Sequence, residues 1–346
     1  MKRLDRKIIT TLMIATAFVA TSALCSAQML INGAGATFPY PIYSKWFNEY
    51  AKLHPGVQIN YQSIGSGGGI KQVTEGTVDF GATDGPMNDE QLQEFQKKRG
   101  SGVLHFPTVL GAVVATYNIP GVSQSLNFTP EALSGIFLGK ITNWNDKAIA
   151  SANQGVKFPD QPIIVVHRSD GSGTTYIFTD YLSKVSSEWS GGPGKGTSIK
   201  WPVGLGGKGN EGVAGVVRQM QGAIGYVELI YAVQNKIPYG SVKNASGAFV
   251  KASLDSVTAA AASVKTMPAD FRVSITNAPG KDTYPISSFT WLLIPSQSKD
   301  AAKGKIISDF LNWMVDDGQK MTAALTYAPL PANVAEKVKA EIKQVR

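Results

Sequence analysis

Arg168-Ser169-Asp170-Gly171-Ser172-Gly173-Thr174 places one permanent cation, two serine hydroxyls, a threonine hydroxyl and two glycines within seven residues, one residue after the apolar run Ile163 to Val166. A helix is predicted to follow over 175–185, with Tyr176, Ile177, Leu182 and Val185 turned inward. A loop that leaves a strand and opens a helix presents unpaired backbone N–H groups and a partial positive charge. Such a terminus favours an anion, and glycine lets the anion come close to the backbone. Arg168 adds a planar fork suited to an oxyanion, and Asp170 is spaced to brace that fork. The chemistry open to these residues is the grip of a small tetrahedral anion.

Three further loops are candidates. Gly33-Ala34-Gly35-Ala36-Thr37-Phe38-Pro39 precedes a helix, where Thr37 could offer its hydroxyl and Phe38 its backbone N–H. A tight turn would explain the same glycines. In Gly65-Ser66-Gly67-Gly68-Gly69, Ser66 could act as an N-cap, but a cap does not need four glycines. The Gly-Lys-Ser/Thr of a P-loop is missing. A dinucleotide fingerprint would need an acid about twenty residues on, and Asp84, near that spacing, instead follows the next strand into a Gly-Pro turn. A carboxylate beside a bound anion is costly unless a proton lies between them. Hydrogen phosphate brings that proton and sulfate does not, so Asp84 would accept from the first and repel the second. Capping the turn that follows is the other role open to it.

Strands and helices alternate around these loops. A helix is expected from Pro41 to Leu53, with Ile42, Trp46, Phe47 and Tyr50 on one face and His54-Pro55-Gly56 as its stop. Strands are expected over 57–64 and 78–83, a helix through Ile70 and Val73 between them, and a long apolar strand from Phe106 to Asn118 able to cross between two lobes. Thr129 and Pro130 open another helix. Residues 190–208 read as a long loop, 245–264 as a small surface helix, 290–295 as a buried strand, and 305–314 and 333–343 as closing helices. No fixed-period repeat is present. The class is α/β with ligand loops at strand ends.

The N-terminus reads as an export signal: Lys2, Arg3, Arg6 and Lys7, then an apolar core from Ile8 to Leu24, then Cys25-Ser26-Ala27 at the peptidase positions. Cleavage is expected after Ala27, with Gln28 as the mature start. A lipoprotein signal wants a small residue before Cys25, and Leu24 is not small, so lipid attachment is not expected. The only cysteine then leaves with the signal, which excludes disulfides, thiolate metal sites and a cysteine nucleophile in the mature chain.

The formal net charge is +8, part of it in the signal. The one tight basic cluster, Lys97-Lys98-Arg99, reads as a solvated helix end before Gly100 rather than a nucleic-acid patch. The three histidines, His54, His105 and His167, show no metal-ligand spacing. Asp170 and Thr174 stand where a nucleophile elbow around Ser172 would need glycines, so a serine hydrolase is not indicated. Trp46, Phe47 and Tyr50 are expected in the core.

Quoted in order, GAGATFPYPIYSKW, IGSGGGIKQ, VDFGATDGP, FPTVLGAVV, RSDGSGTTYIFTDYL, KWPVGLGGKGNEGV and GAIGYVE resemble the phosphate-binding protein family of the high-affinity phosphate ABC transporter, from about Gly33 to Leu330. The resemblance implies a two-lobed, hinge-connected α/β periplasmic-binding-protein fold of type II character, with phosphate in the inter-lobe cleft. Its ligands carry over onto Thr37, Phe38, Ser66, Asp84, Arg168, Ser172, Gly173 and Thr174, with Asp170 orienting the arginine. It implies a signal at 1–27, one lobe from 28–109 plus 283–346, and a second from 110–282. A monomeric periplasmic receptor is expected, one that delivers inorganic phosphate to permease and ATPase subunits without catalysis, cofactor, metal or nucleic acid. Gly85, Met87 and Tyr40 depart from the family pattern, and residues 232–280 match it poorly. The rivals are an exported phosphatase, which would need a nucleophile with a base or a metal, and a sulfate- or molybdate-binding sibling, against which Asp84 argues. A phosphate-starvation sensor or surface adhesin would share the site without a permease.

Overall fold

The computed structural model describes residues 28–122 and 124–346, so the expected signal, its cleavage site and Cys25 lie outside the described residues. The chain begins with β1 (Met29–Gly35), α1 (Tyr40–Leu53), β2 (Val57–Ser63), α2 (Ser66–Glu75), β3 (Phe80–Thr83) and α3 (Asp89–Arg99). Ile42, Tyr43, Trp46, Phe47 and Tyr50 recur at helical spacing along α1, and all five are buried. Helix α3 opens on a capping box between Asn88 and Gln91 and stops at Gly100 in the left-handed region. Its Lys98 pairs with Glu75 and Glu94, as a solvated helix end would.

The strand β4 (Val103–Asn118) follows, then β5 (Ile164–Arg168), α4 (Gly173–Val185), β6 (Leu205–Gly207), α5 (Gly209–Gln219), β7 (Ala223–Glu228), α6 (Leu229–Gln234), β8 (Ser287–Pro295), α7 (Ala301–Asp316) and α8 (Ala332–Ile342). The strands form one mixed sheet in the order β2-β1-β3-β8-β4-β7-β5-β6. Its two ends are parallel, and β8 and β7 run antiparallel to β4.

β4 is the shared member. Residues 103–112 pair with β8, and residues 113–118 pair with β7. A strand buried on both faces must be apolar throughout, and from His105 to Tyr117 every residue of β4 is buried. A first lobe thus gathers around β1–β3 and β8, and a second around β5–β7. The ligand loops follow β1, β2, β3 and β5, so the parallel strands aim them at one crevice.

Three expectations change. Residues 190–208 are not one loop, because Ser187–Gly191 is helical, with Trp189 buried, and β6 begins at Leu205. The small helix within 245–264 is Leu254–Ala262, and it is not a surface helix: Val257, Ala260 and Ala261 are buried, and small side chains let it pack closely. Ser66 caps nothing; it is the first residue of α2, with Gly65 at the cap position and no side-chain cap bond.

Candidate functional site

On the second lobe the site grows from the end of β5. Arg168 is buried, and its backbone N–H donates to the Tyr226 hydroxyl at 3.1 Å. Its Nε donates to Asp170 Oδ1 at 2.8 Å and its Nη2 to Oδ2, the bracing expected of that pair. Nη1 reaches Thr174 Oγ1 at 3.3 Å. A guanidinium carries five N–H groups, so one on each Nη stays free for a ligand. Burial pushes the Asp170 carboxyl up, but the Arg168 bonds, its charge and the Gly209 N–H together bring it below the usual range. Asp170 therefore stays ionised, with Oδ1 taken by Arg168 Nε and Gly209 N–H and Oδ2 by Arg168 Nη2.

Ser172 is the N-cap of α4, its Oγ accepting from Thr175 N–H at 3.0 Å. The N–H groups of Gly173 and Thr174 open the helix with no carbonyl four residues back to receive them, and they meet no acceptor among the described residues. They are the unpaired donors that a helix start leaves open to an anion.

On the first lobe, Thr37 and Phe38 are buried just after β1. Their carbonyls accept from Tyr231 and Tyr327 hydroxyls, each at 2.6 Å, which holds both peptide planes in place. Ser66 is buried, and its Oγ accepts from Asp84 N–H at 3.1 Å. Asp84, 1% exposed, takes the Thr290 hydroxyl on Oδ1 at 2.8 Å. It does not cap the turn that follows; Thr83 Oγ1 takes Gly85 N–H instead. Burial pushes the Asp84 carboxyl up to about 7, against the lowering effect of the Thr290 bond, the Arg168 charge and the Ser66 hydroxyl.

The two lobes meet here. Gly67 N–H donates to Gly171 carbonyl at 2.8 Å, so the two glycine loops touch backbone to backbone. A Cβ built on Gly173 would lie 2.5 Å from both Asp84 Oδ2 and Ser66 Oγ, so only glycine allows that approach. Ser66, Asp84 and Gly173 thus lie together at the seam, and Arg168 ties Asp170 to Thr174 one residue on. Farther out, Arg272 Nη1 donates to Met87 carbonyl at 2.9 Å and Asp89 Oδ1 at 2.8 Å, while its Nε holds Asp270.

Sequence reasoning missed Asn210 and Thr290, which bond the side chains of Thr37, Thr174 and Asp84, and Tyr226, which holds the Arg168 backbone. Asn210 sits at the second position of α5, just past the stretch taken as a loop. Thr290 left a signal, being the one polar residue in the buried run from Phe289 to Pro295. His167, next to Arg168, is turned away: its Nδ1 lies 3.0 Å from Arg168 carbonyl oxygen and its ring stacks on Trp201.

Two lobes on a shared strand, with anion donors at their seam, define a two-lobed binding-protein class. A family model described as a PBP superfamily domain matches residues 19–318. The chain is 47% identical over 321 residues to the phosphate-binding protein PstS of Xylella fastidiosa, covering 92% of this chain and 86% of that protein. It is 45% identical to PstS of Pasteurella multocida, over 94% of this chain and 93% of that one. The chain belongs to the PstS family of phosphate-binding proteins. A solved structure of a high-affinity periplasmic phosphate-binding protein bound with phosphate (PfluDING) shares the fold, with a TM-score of 0.72 at 23% identity over 90% of this chain and 94% of the other. Among the described residues no helix is long and apolar enough to cross a membrane.

Proposed function

We propose that this chain binds inorganic phosphate in the cleft between its lobes and delivers it in the periplasm to an ABC-type permease and its ATPase for import. Thr37, Phe38, Ser66, Arg168, Ser172, Gly173 and Thr174 are the donors, Asp84 accepts the phosphate proton, and Asp170 orients Arg168. The observation that carries the reading is what the seam gathers: the buried Asp84 carboxyl lies against Gly173 at the open start of α4, beside the Ser66 hydroxyl and under the Arg168 charge. Hydrogen phosphate, rich in acceptor oxygens with one O–H, is the complement of such a set. In a dry site these bonds are strong enough for micromolar or better affinity, about −8 kcal/mol or beyond.

The PstS relatives support the same ligand by their names. Capture rather than turnover is favoured because Ser172 Oγ serves as a helix cap and His167 is turned away from the hydroxyls. The lobes divide at 109/110 and 282/283, near the point where β4 changes partner; closure is a hinge motion there, biased by ligand. The receptor acts as a monomer.

The test is isothermal titration of phosphate-stripped protein with phosphate, then sulfate and molybdate, near neutral pH. One-to-one phosphate binding with the other anions inert is expected. Absence of phosphate heat overturns the reading, and binding of sulfate or molybdate in its place reassigns the ligand.

A further inference from the structure

Resting on the phosphate reading, we propose that Asn210 is a positioning residue that commits the Thr37 and Thr174 hydroxyls to donating, and so leaves Asp84 to receive the ligand proton. Asn210 is fully buried. Its Oδ1 accepts Glu228 N–H at 2.9 Å. That bond sets the amide's orientation, since exchanging the two ends would turn an NH2 group onto a backbone N–H.

Nδ2 then donates to Thr37 Oγ1 at 2.7 Å and to Thr174 Oγ1 at 3.0 Å. Thr37 Oγ1 also accepts the backbone N–H of Asn210 at 3.2 Å, and Thr174 Oγ1 also accepts Arg168 Nη1 at 3.3 Å. A hydroxyl has two acceptor lone pairs and one proton. Both lone pairs of each threonine are filled, and donation is all that remains. Neither hydroxyl can take a proton from the ligand. A P–OH turned toward either would face another O–H, whereas at Asp84 it meets an acceptor. Asn210 thus fixes the rotational register of the bound phosphate without touching it.

The amide also links the lobes, because Thr37 follows β1 while Thr174 opens α4 on the same lobe as Asn210. The Asn210–Thr174 pair therefore separates hydroxyl orientation from lobe contact. The experiment is a double-mutant cycle of phosphate Kd by titration near neutral pH on the full chain, using N210A, T174V and the double variant, with thermal unfolding of each stripped protein as a check on the fold. N210A is expected to lose on the order of 30-fold in affinity. The double variant should lose clearly less than the product of the two single losses, because part of the Asn210 effect passes through the Thr174 hydroxyl. A residue that only packs the helix or only ties the lobes would give losses that multiply. If N210A does not fold, N210D replaces it in the cycle, since its carboxylate still receives Glu228 N–H but cannot donate to the threonines. Wild-type protein that takes up no phosphate overturns the phosphate reading and this role with it. Tight wild-type binding with an N210A loss under threefold, or with multiplying losses, overturns the role of Asn210 alone.

Discussion

Replacing Asp84 with Asn tests the proton-reading role most directly. Asp84 is 1% exposed, one oxygen is held by Thr290, and the other faces Gly173 at the lobe seam. Sulfate would set an acceptor oxygen against that carboxylate with no proton between them. A buried charged acceptor left unpaired costs about 3 kcal/mol, on the order of 100-fold in Kd. The amide of D84N can donate to sulfate, and that penalty disappears. Phosphate loses a charge-assisted bond but also a neighbouring negative charge, a net cost of about 1.4 kcal/mol or roughly tenfold. The preference for phosphate over sulfate should therefore narrow by about 1,000-fold, mostly through gained sulfate affinity.

The wild-type protein carries a second form of the same test. Burial pushes Asp84 up to about 7, so its protonated fraction grows as pH falls through that value. Protonated Asp84 can donate to sulfate, which itself stays unprotonated throughout. Sulfate affinity should then rise as pH falls, by up to about tenfold per pH unit, and level off only where Asp84 of the open, ligand-free protein is itself protonated. D84N should show no such slope. Titration of both proteins with sulfate across this range is the assay. A flat wild-type profile, or undiminished sulfate rejection by D84N, refutes the proton-reading role.

Arg168→Ala leaves the anion without its buried cation and Asp170 without its partner, so phosphate Kd should rise by about 4 kcal/mol, roughly 1,000-fold; a loss below about tenfold by titration would make the arginine peripheral. Gly173→Ala adds a Cβ whose nearest neighbours are Asp84 and Ser66 of the opposite lobe, so closure and phosphate binding should fail while the melting temperature of the stripped protein stays within a few degrees. Intact binding by that variant would show that the lobes need not approach so closely. Arg272→Ala removes a partly exposed tie between Arg272 and Asp89 and Met87 at the cleft mouth; stopped-flow dissociation of phosphate should speed up a few-fold, about 1 kcal/mol, and an unchanged rate would remove Arg272 from closure.

The parts of the site that were readable from the sequence are those whose residue types are unusual for their local structure. Four glycines around Ser66 exceed what a helix start requires, and the structure uses Gly67 for backbone contact with Gly171. An arginine followed two residues later by an aspartate, at the end of an apolar strand, reads as a braced fork, and it is one. The apolar length of β4 foretold a strand crossing between lobes. Asn210 was not readable, because an asparagine at a helix start is ordinary and its importance comes from Glu228, eighteen positions on. Local pattern likewise could not separate the two roles of Asp84. The structure removes the capping role, because Thr83 takes Gly85 N–H while Asp84 accepts from Thr290, on a strand more than two hundred residues away. The missed helix at Ser187–Gly191 is too short for periodicity to show, and buried Trp189 holds it in place by tertiary packing.

Specificity and closure are one event in this arrangement. The donors proposed at Thr37, Phe38 and Ser66 lie on the first lobe and those proposed at Arg168, Gly173 and Thr174 on the second, so on this reading neither lobe alone surrounds an anion. Asp84 stands on the first lobe but faces Gly173 of the second. With the lobes apart its carboxyl would be solvated and closer to the ordinary range of an aspartate, and water would satisfy it whatever anion was near. Only when Gly173 closes over it does the carboxylate lose that water and demand a proton from the ligand. An anion without one leaves the closed state with an unpaired charge, so the wrong ligand is refused by failing to hold the lobes together rather than by being kept out of the open cleft.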